Sequence, residues 1–424
     1  MTSEQLEQVL GSNGSGLGPF RRYIDAGIDP AQAEARRREL IQRIEVATGR
    51  KIIIYAADPK KAIQPGIDIM MLPTDHTPLN DILHTVPRGS AVDVLVESPG
   101  GLASVAEYIS RVLRERFSAV RFFVPHMAMS AATILVFSGD EILMDERSSL
   151  GPIDPQIPRQ NSIPYPAQSY LDYLDKAADE EAKTGKLSLL TLAILSKVTP
   201  ADIQIALDAT EEARQLVRGW LKKHMWAALT DAQGNRIPAD QVEAKAGRVA
   251  ESLANHKKWL NHGKMLSRAD LLALDPDLRL TDYSKWPCAE QMWELWVNIH
   301  YSFGVGSSYK LYESAVSRIV KNVTLAAPAV GGAPQGPGFP GAPGGQPGKP
   351  ASAIAGVTCP NCGAENRVQA DFEPNVPANP QGRPWPVGDK LKCLTCQTEI
   401  DLRPVREELK RAIGRDLVGP PAAP

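Results

Sequence analysis

Apolar positions along the first third of the chain follow two spacings in alternation. Short runs rich in β-branched residues predict buried strands, whereas apolar residues three and four positions apart predict amphipathic helices. The predicted strands are Lys51–Asp58, Ala91–Glu97, Ser118–Pro125 and Glu141–Asp145. The predicted helices are Ala31–Thr48, Asp75–Val86, Leu102–Arg116 and one that begins at Ser130. Strands that alternate with helices of this length predict βαβ units around a largely parallel sheet.

Beyond this region the pattern changes twice. From Ala167 to about Trp226 two long amphipathic stretches predict a helical arm, the second starting near Thr199-Pro200. The stretch from Ala326 to Pro350 is rich in Pro and Gly, lacks a strict Gly-X-Y period and predicts an extended tether. The predicted divisions are an N-terminal tail and helix (1–48), an α/β domain with its arm (49–325), a linker (326–355), a cysteine-bearing unit (356–404) and a C-terminal helix and tail (405–424).

Composition narrows the class of protein. The 424 residues include 47 basic and 49 acidic side chains, a formal net charge of -2, which argues against a general nucleic-acid binder. No apolar run reaches 18 residues, and the N-terminus lacks the pattern of a secretion signal. The five cysteines suit a reducing compartment and a metal better than a disulfide framework. We expect a cytoplasmic protein without a transmembrane segment.

Two turns follow successive predicted strands at their carboxyl ends. They are Ser98–Gly101 and Ala128–Ala132, and ligands of open α/β sheets bind at that edge. A Gly-Gly turn exposes backbone N–H groups that can hold an oxyanion, and Ser130 at a helix start could be a nucleophile. Local chemistry leaves the alternative open that Gly100-Gly101 is only a tight turn and Ser130 only an N-cap.

Taken together, VESPGGLASVAEYI and VPHMAMSAATILVFSGDEILMDERSSLGPIDPQI resemble the ClpP/crotonase-fold serine peptidases. They are most similar to the serine dehydrogenase proteinases, relatives of signal peptide peptidase A. The resemblance covers Lys51–Ile157 and continues weakly to about Asp282. It implies an α/β fold with a ClpP/crotonase-like ββα-repeat core and a helical extension. It also implies an oxyanion hole at Gly100 and Gly101, a nucleophile at Ser130, and a second N–H donor at Ala131.

One departure from the family pattern lies beside the nucleophile. The family usually has a glycine after the serine, whereas Ala131 and Ala132 stand there in this chain. Their methyl groups could narrow the pocket.

The resemblance also implies a triad in the order Ser130, Asp154, His262. ClpP itself has a histidine about 25 residues after the nucleophile, where this chain has Asp154. The segment NHGKMLSRADLLAL, which resembles the stretch holding the ClpP aspartate, places His262 instead. The exchange is chemically acceptable because a triad is defined by its geometry.

Two other residues remain candidates for the general base. His126 lies four residues before Ser130, at the end of the same predicted strand. Lys176 lies at the spacing of the Ser-Lys dyad of signal peptide peptidase A, but its surroundings are polar, and a lysine base needs burial. We find no recognisable partners for His224, His256 or His300.

Four cysteines form two CxxC pairs separated by 30 residues, a pattern typical of zinc ribbons. The pairs are Cys359 with Cys362 and Cys393 with Cys396. Four thiolates leave no open position on the metal, so a bound zinc would be structural. A redox pair or a metal-free unit is the alternative. Cys288 stands alone and is expected to be packed.

The expected activity is serine endopeptidase chemistry on a peptide or protein substrate, without ATP, since the chain has no GxxxxGK[ST] motif. We expect a homo-oligomer, which could work at a membrane. The alternative is an inactive oligomeric scaffold whose zinc ribbon recruits a protein partner. A crotonase-like acyl-CoA enzyme is a third reading, disfavoured by the AMS serine followed by GPIDPQ. GxSxG and HExxH motifs are also absent.

Overall fold

A computed structural model describes most of the chain as two compact units, Met1–Val323 and Thr324–Pro424. The described residues are 17–63, 67–159, 162–323, 352–362, 364–374, 376–377, 382–413 and 415–418. The predicted tether, 326–350, lies outside them.

The first unit alternates helices and strands along most of its length. Its helices are α1 (Pro19–Asp25), α2 (Pro30–Thr48), α3 (His76–His84), α4 (Ala103–Arg116), α5 (Ala131–Val136), α6 (Gln168–Thr184), α7 (Leu189–Leu195), α8 (Pro200–Trp220), α9 (Ala239–Ala254), α10 (His256–Trp259), α11 (Arg268–Leu272) and α12 (Ala289–Val305). Its strands are β1 (Lys51–Ala57), β2 (Ala91–Glu97), β3 (Ala119–Phe123), β4 (Met127–Ala128), β5 (Glu141–Met144), β6 (Ser149–Leu150), β7 (Gln156–Arg159), β8 (Ser162–Pro166), β9 (Leu280–Asp282), β10 (Ser308–Ser314) and β11 (Arg318–Asn322).

Seven of these strands form one sheet in the order β11-β10-β1-β2-β3-β5-β9. The five strands from β1 to β9 in that order run parallel to their neighbours. Strands β10 and β11 extend the β1 edge antiparallel. The predicted largely parallel sheet is therefore confirmed.

Alternate residues of each strand belong to two separate hydrophobic cores, one on each face of the sheet. On one face Ile54, Leu95 and Phe123 stand side by side in register and pack with apolar residues of α2 and α12. On the other face Ile53, Val94 and Phe122 pack with α3, α4 and α5. Strands buried on both faces explain why the sequence shows continuous apolar runs rather than alternation.

Helix α2 shows both end signals that its sequence carries. Asp29 caps it and forms a capping box with Gln32, and Gly49 ends it in the left-handed conformation with φ 67°. Buried ion pairs from Arg36 to Glu294 and from Arg37 to Glu313 tie this helix into the first unit.

The helical arm differs from its prediction. It contains three helices, because the first stretch is interrupted at Gly185, which ends α6 with φ 71°. The short helix α7 follows, and α8 starts at Pro200 behind the Thr199 cap. Among the described residues no single helix has both the length and the apolarity to cross a bilayer. The bent pair Leu189–Leu195 and Pro200–Met225 meets those criteria only when joined.

The second unit is small and mostly β. Its strands are β12 (Ser352–Thr358), β13 (Glu365–Asp371), β14 (Arg383–Pro384), β15 (Lys390–Lys392) and β16 (Glu399–Asp401), and they precede helix α13 (Arg403–Ile413). Strands β12 and β13 pair antiparallel, as do β15 and β16. Its core combines apolar residues with Cys359 and Cys393. Strand β12 begins within the range predicted for the linker.

Candidate functional site

Ser130 lies at the first turn of α5 in a strained backbone conformation. Its φ is 52° and its ψ is -120°, a region that non-glycine residues seldom occupy. The hydroxyl does not cap the helix, and no hydrogen bond joins Ser130 Oγ to another described residue. Such a turn holds the side chain of Ser130 at the helix mouth, as a nucleophile requires.

The Gly-Gly turn after β2 packs directly against this serine. A Cβ atom built on Gly100 would lie 2.6 Å from Ser130 Cβ and 3.2 Å from Ala131 N. One on Gly101 would lie 2.4 Å from the backbone of Met71, which pairs with Gly101 in a parallel bridge. Glycine is therefore required at both positions by close approach as well as by their positive φ.

Three N–H groups in these turns have no acceptor among the described residues: those of Gly101, Ser130 and Ala131. The Gly100 N–H instead donates to Ser98 Oγ at 3.2 Å. The Gly101 and Ala131 N–H groups can hold a developing oxyanion, whereas Gly100 contributes close approach. The side chains of Ala131 and Ala132 are buried in the core of the first unit.

The segment that leads from β6 to Asp154 passes beside Ser130. A Cβ atom on Gly151 would lie 3.2 Å from Ser130 N, so this segment runs alongside the serine. The Asp154 side chain is only 2% exposed. His262 Nδ1 donates to Asp154 Oδ1 at 2.8 Å. The structure thus joins Asp154 and His262, but no hydrogen bond links His262 to Ser130 Oγ.

A second histidine binds the same carboxylate. His256 Nδ1 donates to Asp154 Oδ2 at 2.9 Å, and Gln156 Nε2 donates to the same oxygen at 2.9 Å. The prediction that His256 has no partner is wrong. The two residues are 102 positions apart, so no local sequence signal could have paired them.

His126 is engaged elsewhere. Strand β3 ends at Phe123, so His126 lies beyond it, and its Nδ1 donates to the fully buried carboxylate of Glu97 at 3.0 Å. This hydrogen bond raises the pKa of His126 against the opposing effect of burial. Burial would raise the pKa of Glu97, but His126 and the neighbouring His300 lower it.

The two residues that remain, His300 and Lys176, differ in their surroundings. His300 Nε2 lies 3.6 Å from Glu97 Oε1 and its ring packs on Trp296, so the prediction that it has no partner is also wrong. Lys176 lies on the exposed side of α6. That exposure leaves it without the burial that a lysine base needs.

A buried cluster behind the Gly-Gly turn holds Met71 in place. Asp75 accepts hydrogen bonds from Tyr55 at 2.7 Å, Tyr312 at 2.6 Å, Lys310 at 2.9 Å and Lys321 at 2.6 Å. Lys310 also donates to the Met70 carbonyl. Burial would raise the pKa of Asp75, but Lys310 and the other donors outweigh it and lower the pKa to about 2.

In the second unit the four cysteines converge. Their sulfur atoms all lie within 4.8 Å of one another, with Cys359 to Cys396 at 3.5 Å and Cys362 to Cys393 at 3.6 Å. A tetrahedral zinc with Zn–S bonds of about 2.3 Å needs sulfur atoms about 3.8 Å apart. The Thr398 hydroxyl, 3.2 Å from Cys396 Sγ, lowers the pKa of that thiol to about 5. The donor set therefore fits a metal ion that prefers thiolates.

A strained serine, N–H groups without acceptors and a histidine–carboxylate pair are features that serine hydrolases combine in their active sites. Residues 24–207 match the model of the family described as ClpP-like SDH-type serine proteinase. This match confirms the resemblance that the motifs show.

Two curated proteins of Methanocaldococcus jannaschii are similar to the chain. Uncharacterized protein MJ1495 is 30% identical over 151 residues, which are 34% of this chain and 50% of that protein. Uncharacterized protein MJ0137 is 32% identical over 111 residues, 26% of this chain and 37% of that protein. The chain therefore spans half or less of the length of these relatives.

Among solved structures, a mutant of the 1510-N membrane-bound stomatin-specific protease aligns with 34% of this chain and 80% of its own. The sequence identity is 14% and the TM-score is 0.21.

Proposed function

We propose that the chain is a serine endopeptidase that works without ATP and uses Ser130 as its nucleophile. The observation that carries the proposal is the contact between the Gly100-Gly101 turn and a strained Ser130 whose hydroxyl has no hydrogen bond to a described residue. The proposed site combines Ser130, which lies within residues 24–207 that match the family model, with His262 from a later segment.

In the proposed reaction Ser130 Oγ attacks the scissile carbonyl carbon while His262 Nε2 takes the hydroxyl proton. Asp154 accepts a hydrogen bond from His262 Nδ1, which fixes the ring tautomer and stabilises the imidazolium. His262 then gives the proton to the leaving amine. A water molecule, deprotonated by His262, next attacks the carbonyl carbon of the acyl ester. The bond from that carbon to Ser130 Oγ breaks, His262 returns the proton to Oγ, and the carboxylic acid product leaves.

The oxyanion would be held by the N–H groups of Gly101 and Ala131. Loss of one such donor typically costs about 2.7–4 kcal/mol of transition-state stabilisation, or roughly 10²–10³ in rate. The missing hydrogen bond between Ser130 and His262 is compatible with the proposal, because catalytic hydrogen bonds are often long without substrate and tighten in the reacting complex.

The test is hydrolysis of unfolded casein and fluorogenic peptides without any nucleotide. We expect the wild-type chain to cleave and Ser130→Ala to be inactive. The matched control is Ser284→Ala, a change at an exposed serine on the 3-10 turn Tyr283–Lys285, which should retain full activity. Equal hydrolysis by the Ser130→Ala variant would exclude this serine as the nucleophile.

We further propose that the four cysteines hold one structural zinc ion. All four ligand positions would be filled by Cys359, Cys362, Cys393 and Cys396, so the metal would have no open site for substrate. Zinc contributes about 10–16 kcal/mol to the folding of small domains of this type. The proposed role of the metal is therefore to stabilise the second unit.

Self-association through the arm is also part of the proposal. Helix α7 is turned outward: Leu189 is 86% exposed and Leu190 70%, while the polar Thr191 faces inward and donates to Glu180. A second copy of the chain would cover these leucines. Light scattering should give a mass above the 46.0 kDa of one chain, and Leu189→Glu should lower it. A monomer at micromolar concentration would contradict self-association.

A further inference from the structure

Asp154 binds two imidazoles, one on each carboxylate oxygen. His262 donates to Oδ1 at 2.8 Å and His256 donates to Oδ2 at 2.9 Å. Both bonds use the Nδ1 atom, so the Nε2 atoms of the two rings are left for other partners. The serine mechanism described above uses only His262 and gives His256 no role.

Oδ2 of Asp154 is a buried carboxylate oxygen and therefore needs hydrogen-bond donors. The side chain is 2% exposed, and the ion pairs of the described residues include none from a lysine or arginine to Asp154. Apart from His256, Oδ2 receives only the amide of Gln156, a neighbour two residues along the same segment. Among the described residues, His256 is therefore the one hydrogen-bond donor to Oδ2 that comes from another element.

Contacts within α10 and with the helical arm fix the position of His256. It is the first residue of α10, where Asn255 caps the helix and accepts from Lys258 N at 3.2 Å. The helix closes where Leu260 N donates to the His256 carbonyl at 2.7 Å. The adjacent Lys257 pairs with Asp172 of α6 at 2.8 Å, which fastens α10 to the helical arm.

The two histidines have different surroundings along the chain. His262 precedes Leu266, which pairs with Leu150, and Leu150 adjoins the Gly151 that abuts Ser130. His256 lies instead next to Lys257 and the arm. This placement favours His262 on the side of the nucleophile and His256 on the far side of the carboxylate.

We infer that His256 is a positioning residue: its Nδ1–H holds the Asp154 carboxylate in the plane that directs Oδ1 to His262. The inference rests on the proposed serine mechanism. It assigns a role in the reaction to α10, which lies outside residues 24–207 that match the family model.

The experiment measures the rate constant for fluorophosphonate labelling of the full-length chain across pH, which requires no known substrate. In His256→Leu the Asp154 donor is lost, and labelling should slow by roughly 10- to 100-fold at neutral pH, the effect of one hydrogen bond to a charged group. In His256→Asn the amide nitrogen replaces Nδ1, and the rate should return to within about threefold of wild type, a small fraction of that effect.

Recovery of the labelling rate in His256→Asn is the readout that a purely structural role would not give, because the amide restores a donor to Asp154 Oδ2 without restoring the imidazole ring. His84→Leu, at an exposed ring on α3 that bonds the Asn80 carbonyl, is the control and should label as wild type does. Thermal unfolding of each variant checks that the fold is retained.

The outcomes separate the inference from the function on which it rests. A wild-type labelling rate in a folded His256→Leu variant would overturn the role of His256 and leave Ser130 as the nucleophile. A larger loss in His256→Leu than in His262→Ala would also overturn it, because His256 would then be the base. Absence of labelling in the wild type would remove the serine mechanism, and the inference with it.

Discussion

At the scale of single residues, the site depends on glycines that no other residue can replace. Gly100 has a φ of 106°, and its missing side chain leaves the space that Ser130 Cβ occupies. The strain at Ser130 persists because this turn and the first turn of α5 fix the backbone on both sides. The Gly100 turn and the first turn of α5 therefore fix the backbone at both the proposed nucleophile and the proposed oxyanion donors.

Replacing Gly100 tests this contact. In Gly100→Ala the new methyl group would overlap Ser130 Cβ and the Met129 carbonyl, so we expect loss of hydrolysis by at least about 10²-fold, the effect of one lost oxyanion donor. Far-UV circular dichroism checks folding, and Gly219→Ala, where a Cβ meets nothing within 4 Å, is the control. Retained activity in a folded Gly100→Ala variant would contradict the geometry.

The Ser98–Gly101 turn and the two CxxC pairs could be recognised in the sequence because each spans four consecutive residues. The role of Ser130 is implied instead by the resemblance to the peptidase family. His256 could not be predicted in this way, since its partner is Asp154, 102 residues earlier. A lone histidine before a short helix carries no signal for a partner that only the tertiary fold supplies.

At the scale of elements, the edge strands support the site from behind. Strands β10 and β11 provide Lys310, Tyr312 and Lys321, all of which donate to Asp75 at the start of α3. Lys310 also binds the Met70 carbonyl, next to the Met71 that pairs with Gly101. The antiparallel edge of the sheet thereby positions one side of the oxyanion turn.

The lowered pKa of Asp75 predicts how stability depends on pH. Because the folded state holds this pKa at about 2 against an ordinary value of 3.8, the ionised group contributes stability that is fully present above about pH 4. That contribution, about 2 kcal/mol by the size of the shift, is lost as the pH falls toward 2. Urea unfolding at several pH values measures it.

The corresponding variant is Asp75→Asn, which leaves the Lys310 ammonium buried without its carboxylate. We expect a loss of roughly 3–5 kcal/mol in the free energy of unfolding at neutral pH. Asp81→Asn, at an exposed position of α3, is the matched control and should change stability by less than about 0.5 kcal/mol. Equal stability of the two variants at pH 7 would contradict a structural role for Asp75.

The sequence predicted the elements well where buried strands alternate with amphipathic helices, and less well in the arm. Strand β2 was predicted with its observed bounds, because a strand buried on both faces reads as a continuous apolar run. In the arm, α6 and α7 could not be separated by apolar spacing alone, because α7 exposes its leucines instead of burying them. The Asp75 network was missed because its lysines lie more than 200 positions away.

At the scale of the whole molecule, the chain combines a first unit, in which residues 24–207 match a serine proteinase family model, with a cysteine cluster in a second unit. Each unit has its own core, the second built from apolar residues of β12, β13 and β15 around two of the cysteines. Unfolding of the two units should therefore be separable, with metal binding controlling only the second.

Metal removal tests this separation. Freshly purified protein should contain one zinc per chain, and a strong chelator should unfold the second unit while peptide hydrolysis by the first persists. Calorimetry should show one transition lost and one retained. Cys359→Ser should lose the zinc, and Cys288→Ala, at the buried cysteine of the first unit, should keep it. A metal content near zero in fresh wild-type protein would contradict the zinc proposal.

The central claim is that Ser130 is an activated nucleophile, and mapping of a covalent adduct tests it most directly. The full-length protein is treated with a fluorophosphonate and digested, and the modified residue is located by tandem mass spectrometry. The account predicts a single adduct on Ser130, with labelling slowed by at least about 10³-fold in His262→Ala, in line with the loss of a general base. An unmodified Ser130, or an adduct on another residue, would contradict it.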